Sequence, residues 1–160
     1  MKTYLSAAQS YRDAARASLA TRDPQDQRAA HGFAWVATSV AALEAMLDWR
    51  ARNGDGNPVD ALVADLAFAE TIAQLIGGLP MGQNEIFRPT DLGLGAEART
   101  FAETCAPLLD ADHAATRAAV GQHLADGNWP SESFHDAELD AIRDQFRRFT
   151  DAEILPHAHA

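Results

Sequence analysis

A chain of 160 residues falls within the size of one ordinary domain, and 47% hydrophobic with 22% charged side chains is the balance of a globular protein that buries a core. Thirteen basic against 23 acidic side chains leave a formal charge of −10 spread along the whole length, which lacks the clustered positive surface that phosphate backbones need, so no nucleic-acid partner is expected. No uninterrupted apolar run of about 18 residues occurs, and Tyr4, Gln9, Tyr11 and Asp13 interrupt the stretch a signal peptide would need, so no membrane partner and a cytoplasmic location are expected.

Nearly every segment follows helical spacing. Leu5, Ala8, Tyr11, Ala15 and Leu19 recur at intervals of three and four and predict an amphipathic helix over about 4–21. Asp23 with Pro24 signals the next start, and the pattern runs to a stop at Asn53-Gly54. Phe33, Val36, Val40, Leu43 and Leu47 make one stripe of this long helix; Trp35, Ala42 and Trp49 make a second, which predicts burial on two sides. Asn57-Pro58 repeats the start signal, and Leu62, Leu66, Ala69, Ala73 and Ile76 carry a third helix to Gly77-Gly78.

The stretch GGLPMGQNEIFRPTDLGLG, about nineteen residues, is too apolar for a free linker, and a packed, irregular connection is expected. Helices over about 96–110, with Pro107 bending or ending the last turn, and about 112–125 come next; a final helix starts near Ser133 or Asp136 and runs to the end of the chain. No strand-length alternation is found. The expected fold is all-α, a bundle of about five to six helices with one long packed loop.

The candidate chemistry is sparse. The single Cys105, in the setting FAETCAP, excludes an intramolecular disulfide and points to buried filler. His31, His113, His123, His135, His157 and His159 lack the shared-face spacing of a helical metal site, so no metal is expected. No serine elbow, phosphate loop or strand-associated dinucleotide fingerprint occurs, and Glu44, Glu70 and Glu85 are expected as exposed or paired charges. Trp35, Trp49 and Trp129 are expected as core anchors. Arg143, Arg147 and Arg148 lie among Asp140, Asp144 and Asp151, a neutralised helix side.

The ending IRDQFRRFTDAEILPHAH resembles the first helix of the acyl-CoA dehydrogenase fold. Upstream, AAHGFAWVATSVAALEAMLDW and FAETIAQLIGGLPMGQNEIFRPTDLGL resemble an extra helical region that precedes the dehydrogenase core in one branch of that family. The resemblance implies two parts: an N-terminal helical extension over 1–130, and the truncated first helix of a dehydrogenase core over 131–160. It implies a parent enzyme that uses FAD to desaturate an acyl-CoA thioester. No position matches a catalytic or flavin-contacting residue, so this chain is expected to bind no cofactor itself.

The remainder of the dehydrogenase is the expected partner, with acyl-CoA bound only by the full-length enzyme, and a homo-oligomer is expected. Leu79, Met81, Ile86, Phe87, Arg88, Leu92 and Leu94 form the candidate docking segment, and Ile142, Phe146 and Phe149 the candidate core-facing stripe. The alternative is a free-standing helical interaction module that binds a separate partner chain.

Overall fold

The computed structural model describes residues 1–54 and 56–158. The helices are α1 (Lys2–Leu19), α2 (Gln27–Asn53), α3 (Pro58–Gly77), α4 (Gly95–Leu109), α5 (His113–Ala125) and α6 (Ala137–Phe149). The first four form a ring in which α1 packs on α2, α2 on α3, α3 on α4 and α4 back on α1, while α5 lies outside against α3. The all-α bundle expected from the periodicity is therefore what the chain builds.

Local chemistry sets the helix ends. The Asn57 side chain accepts from the Val59 N–H, with Pro58 in the first turn, where its missing N–H costs nothing. Gly54 ends α2 at φ 68, a conformation that glycine takes without a Cβ penalty. The start of α2 differs from expectation. Asp23-Pro24 forms a turn instead, and the cap is Asp26, whose side chain accepts from the Ala29 N–H at 2.9 Å.

The core joins Tyr11, Ala8 and Ala15 of α1 to Val36, Val40 and Leu43 of α2, Phe68, Ile72 and Leu75 of α3, and Phe101, Cys105 and Leu108 of α4. Fully burying side chains of this size contributes about 1.5–3 kcal/mol each. The first α2 stripe is thus buried as expected. The second is not, because Trp35 and Ala42 face outward, and the bundle has helices on only one side of α2. By length and composition alone α2 could cross a bilayer; it packs its Gly32, Val36, Val40 and Leu43 face within the bundle, and the rest of its surface is only partly covered. On α3 the buried residues are Val59, Asp60, Ala64, Phe68, Ala69, Ile72 and Leu75; of the expected row Ala69 is buried, Leu62, Leu66 and Ile76 are half-buried, and Ala73 is exposed. Trp129 is 63% exposed, so it and Trp35 are not core anchors.

The glycine-rich connection contains strands that alternation did not predict. Leu79–Gly82 (β1) and Glu85–Phe87 (β2) pair antiparallel, with Leu79 opposite Phe87 and Pro80 opposite Ile86. They are too short for period-two patterning to show. A 3-10 turn over Pro89–Leu92 comes next, and the unit seals one end of the bundle.

Tyr11 stacks on Phe101 with ring centroids 5.3 Å apart. Burial, and then the Glu97 carboxylate, push its phenol up from 10.0 to about 12. Because the folded state favours the neutral phenol, this contribution is complete below about pH 10 and is lost as pH rises through about 12. Ultraviolet titration should show tyrosinate forming near pH 12 together with alkaline loosening of the bundle. Ionisation of Tyr11 at the ordinary phenol value would contradict its burial.

Candidate functional site

The sequence-derived docking segment divides into two sets. Leu79, Phe87, Leu92 and Leu94 point into the chain's own core, Met81 is half-buried against it, and Ile86 and Arg88 are exposed. What this segment offers to another surface is therefore Ile86, 42% exposed, beside Arg88. It is held by Arg28 of α2, whose guanidinium donates to the Ile86 carbonyl at 2.9 Å and to Asp91 at 3.1 Å, pairs with Glu85, and lies 5.9 Å from the Phe87 ring centroid. Phe87 itself rests on Gly32, where any larger residue would have no room: a Cβ there would lie 2.2 Å from the ring.

The second surface is α6. Asp136 caps it, accepting from the Glu138 and Leu139 N–H groups at 2.9 and 3.1 Å. Leu139, Ile142, Phe146 and Phe149 recur at helical spacing, and none is covered: Phe146 is 69% and Phe149 53% exposed. Beyond Phe149 the helix loosens through a π turn over Thr150–Ile154 and a 3-10 turn over Leu155–His157, so the α-helix does not continue to the end of the chain as expected. Pro156 lies in that last turn, where a missing N–H suits a helix start better than a continuation. Ile154 and Leu155 extend the exposed apolar strip.

Polar contacts, not packing, tie α6 to the bundle. Ser131 N–H donates to Asp60 Oδ1 at 2.7 Å, Asn57 Nδ2 donates to the Trp129 carbonyl at 2.8 Å, and the His135 ring lies 2.9 Å from Asn53 Oδ1. From the other side, Asp140 accepts from Phe134 N–H and Ser133 Oγ, both at 2.9 Å, and Arg143 donates to the Glu132 carbonyl. The Phe134 N–H bond, aided by Ser133 and Arg143, holds the Asp140 carboxyl below its ordinary value. His135 sits at φ 53, a left-handed conformation that side chains rarely adopt, between these two sets of bonds.

Asp60 is fully buried, and its Oδ2 has no partner among the described residues. Sequence reasoning missed this clamp, although the spacing from Asn57 to Asp60 is that of a capping pattern and singles out the residue.

The other candidates are occupied in structural roles. Glu44 accepts from Gln9 at 2.8 Å and Arg12 at 3.2 Å, joining α1 to α2, and Glu70 pairs with Arg117 at 2.8 Å. Arg143 pairs with Asp140 and Asp144, and Arg147 with Glu132. Cys105 is buried, which pushes its thiol up to about 11 and away from the nucleophilic thiolate. His31 accepts from Trp35 Nε1 at 3.0 Å, and His113 lies 2.9 Å from the Leu108 carbonyl; His159 lies outside the described residues. Among the described residues no three His, Cys, Asp or Glu side chains group as a metal site would require.

The features open to a partner are thus an apolar helix face and one corner of a hairpin. No protein-family model matches the chain. The chain is 38% identical over 84% of its length to a (2S)-methylsuccinyl-CoA dehydrogenase of Cereibacter sphaeroides, an acyl-CoA dehydrogenase family member. It resembles part of an acyl-CoA dehydrogenase.

The chain spans 26% of that relative's length. The branch whose extra helical region the sequence resembles is the methylsuccinyl-CoA dehydrogenases, so the comparison supports the resemblance. The acyl-CoA dehydrogenase family uses FAD. The groove between α1 and α4 does not fit that cofactor: it sets one lysine, Lys2, and one carboxylate, Glu97, where a pyrophosphate needs several converging donors.

Proposed function

We propose that the chain is the helical region that precedes the catalytic core of an FAD-dependent acyl-CoA dehydrogenase of the cytoplasm, with methylsuccinyl-CoA as substrate and mesaconyl-CoA as product. In this reading residues 1–130 are the extension and 131–160 the first helix of the core. The region is non-catalytic by itself. FAD bound elsewhere in the parent would supply the hydride acceptor for the desaturation, and this chain contributes surfaces. The stripe of Ile142, Phe146 and Phe149 seats on the core, and Ile86 with Arg88 serves the substrate entrance or contacts between subunits.

The observation that carries this reading is the 38% identity over 84% of the chain. The uncovered face of α6 agrees with it, because a row of large apolar side chains half or more exposed is ordinarily covered by another surface.

The test is the mass of the natural gene product together with its visible spectrum and its activity on methylsuccinyl-CoA. The expected result is a polypeptide several-fold heavier than 17.2 kDa, yellow with bound flavin and active. A colourless, inactive product of 17.2 kDa would end this reading and favour the separate interaction module.

A further inference from the structure

The segment that joins α5 to α6 crosses the first turn of α3 and is held there by hydrogen bonds, with no side chain of its own buried among the described residues. Ser131 N–H donates to Asp60 Oδ1 at 2.7 Å, and the His135 Nε2 lies 2.9 Å from Asn53 Oδ1. Asn57 Nδ2 donates to the Trp129 carbonyl at 2.8 Å and lies 3.5 Å from Ser131 Oγ. Two features oppose these bonds. Asp60 is fully buried with Oδ2 unpartnered among the described residues, a costly state for a carboxylate oxygen, and lifting the segment lets water reach it. His135 is held at φ 53, a strained conformation for a residue with a Cβ, and relaxes once its ring lets go. Set against the bonds, these two costs leave the held and released arrangements within roughly tenfold of one another.

On its other side the segment is bound to α6. Asp140 accepts from Phe134 N–H and Ser133 Oγ, both at 2.9 Å, Arg143 donates to the Glu132 carbonyl, and Arg147 pairs with the Glu132 carboxylate at 2.6 Å. Segment and helix therefore move together. Behind them Asn128 N–H donates to the His123 carbonyl at 2.8 Å and stays with α5, while Pro130 has its φ fixed by the ring. The free backbone torsions lie between these two residues.

We propose that the chain from Trp129 onward is a latched arm, which pivots between Asn128 and Pro130 and alternates between an arrangement fastened at Asn53, Asn57 and Asp60 and one released from all three. The stripe of Ile142, Phe146 and Phe149 travels with the arm, so it turns toward the surface that covers it while the bundle keeps its core. A surface that grips the stripe better in one arrangement shifts the arm by that difference in affinity. The inference stands apart from the dehydrogenase reading, since it concerns contacts within this chain alone.

The experiment measures distances between spin labels on the 160-residue chain, placed at the exposed positions Ala45→Cys of α2 and Ala141→Cys of α6, with the labelled chain diluted into unlabelled chain. Cys105 is buried, and labelling of the unsubstituted chain checks that it stays unmodified. Two distance populations are expected, one narrow and one broad. Asp60→Ala should raise the ratio of broad to narrow about fivefold or more. Asn57→Ser keeps a good helix cap while removing the donor to Trp129, and should raise it about threefold or more. In Asp60→Ala, amide exchange should quicken at Ser131 and stay within about twofold at Phe134, whose N–H is held by Asp140 and moves with the arm. A single narrow distance that neither variant alters, or a broad distribution with no narrow part, would overturn the proposal. Equal quickening at Ser131 and Phe134 would mean that the segment unravels instead of swinging, and would overturn it too.

Discussion

Gly32→Ala is expected to lower the unfolding free energy by roughly 2–4 kcal/mol, seen as an earlier urea midpoint. In an exposed helix the same change would stabilise, since alanine is favoured over glycine by about 1 kcal/mol in a helix interior. Here the sign reverses because the added Cβ would lie 2.2–2.3 Å from three ring atoms of Phe87. That ring is buried and cannot swing aside without leaving the core and its place beside Arg28. Expelling a buried phenylalanine costs about 3–5 kcal/mol, which exceeds the helix gain. Phe87→Leu should cost stability alone yet recover part of the loss when combined with Gly32→Ala, a non-additive pair. A stabilised Gly32→Ala chain would show that the hairpin does not seat where the geometry puts it.

Asp60→Ala is expected to cost about 1–3 kcal/mol and to release the 128–136 segment, read as faster amide exchange at Ser131. Asp60 accepts the Ser131 N–H at 2.7 Å and places a negative charge in the first turn of α3, where the helix dipole favours it. Against this, the substitution also removes the unpartnered Oδ2, which offsets part of the loss. Asp60→Asn keeps an acceptor for Ser131 and should lose less. Unchanged exchange at Ser131 in Asp60→Ala would mean that Asn57 and Asn53 hold the linker without it.

Periodicity anticipated the helices and most of their ends, because proline, asparagine and glycine act locally at those positions. It fared worse on faces. Trp35 and Ala42 repeat at helical spacing, but whether a second stripe is covered depends on which helices lie beside it, and none covers this one. The strands β1 and β2 are too short for alternation, and their pairing is enforced by Phe87 on Gly32 and by Arg28, contacts that span more than fifty positions in the chain. In the candidate docking segment, apolar character marked importance without revealing direction: Leu79 and Phe87 face the interior, while Ile86 faces out. Ile142, Phe146 and Phe149, by contrast, were apparent as a stripe and are a stripe. The Asp60 clamp joins positions 71 apart, so only its capping pattern could show locally.

Every buried side chain among the described residues lies between Ala8 and Leu108; α5 still packs on α3, and the portion beyond α5 is fastened to the bundle by hydrogen bonds. The two portions are therefore free to change under different rules. Substitutions in the first must fit an interior that already exists, where one methyl group too many is felt. Those in the second answer to whatever α6 touches, and can drift in concert with that neighbour while the bundle stays as it is.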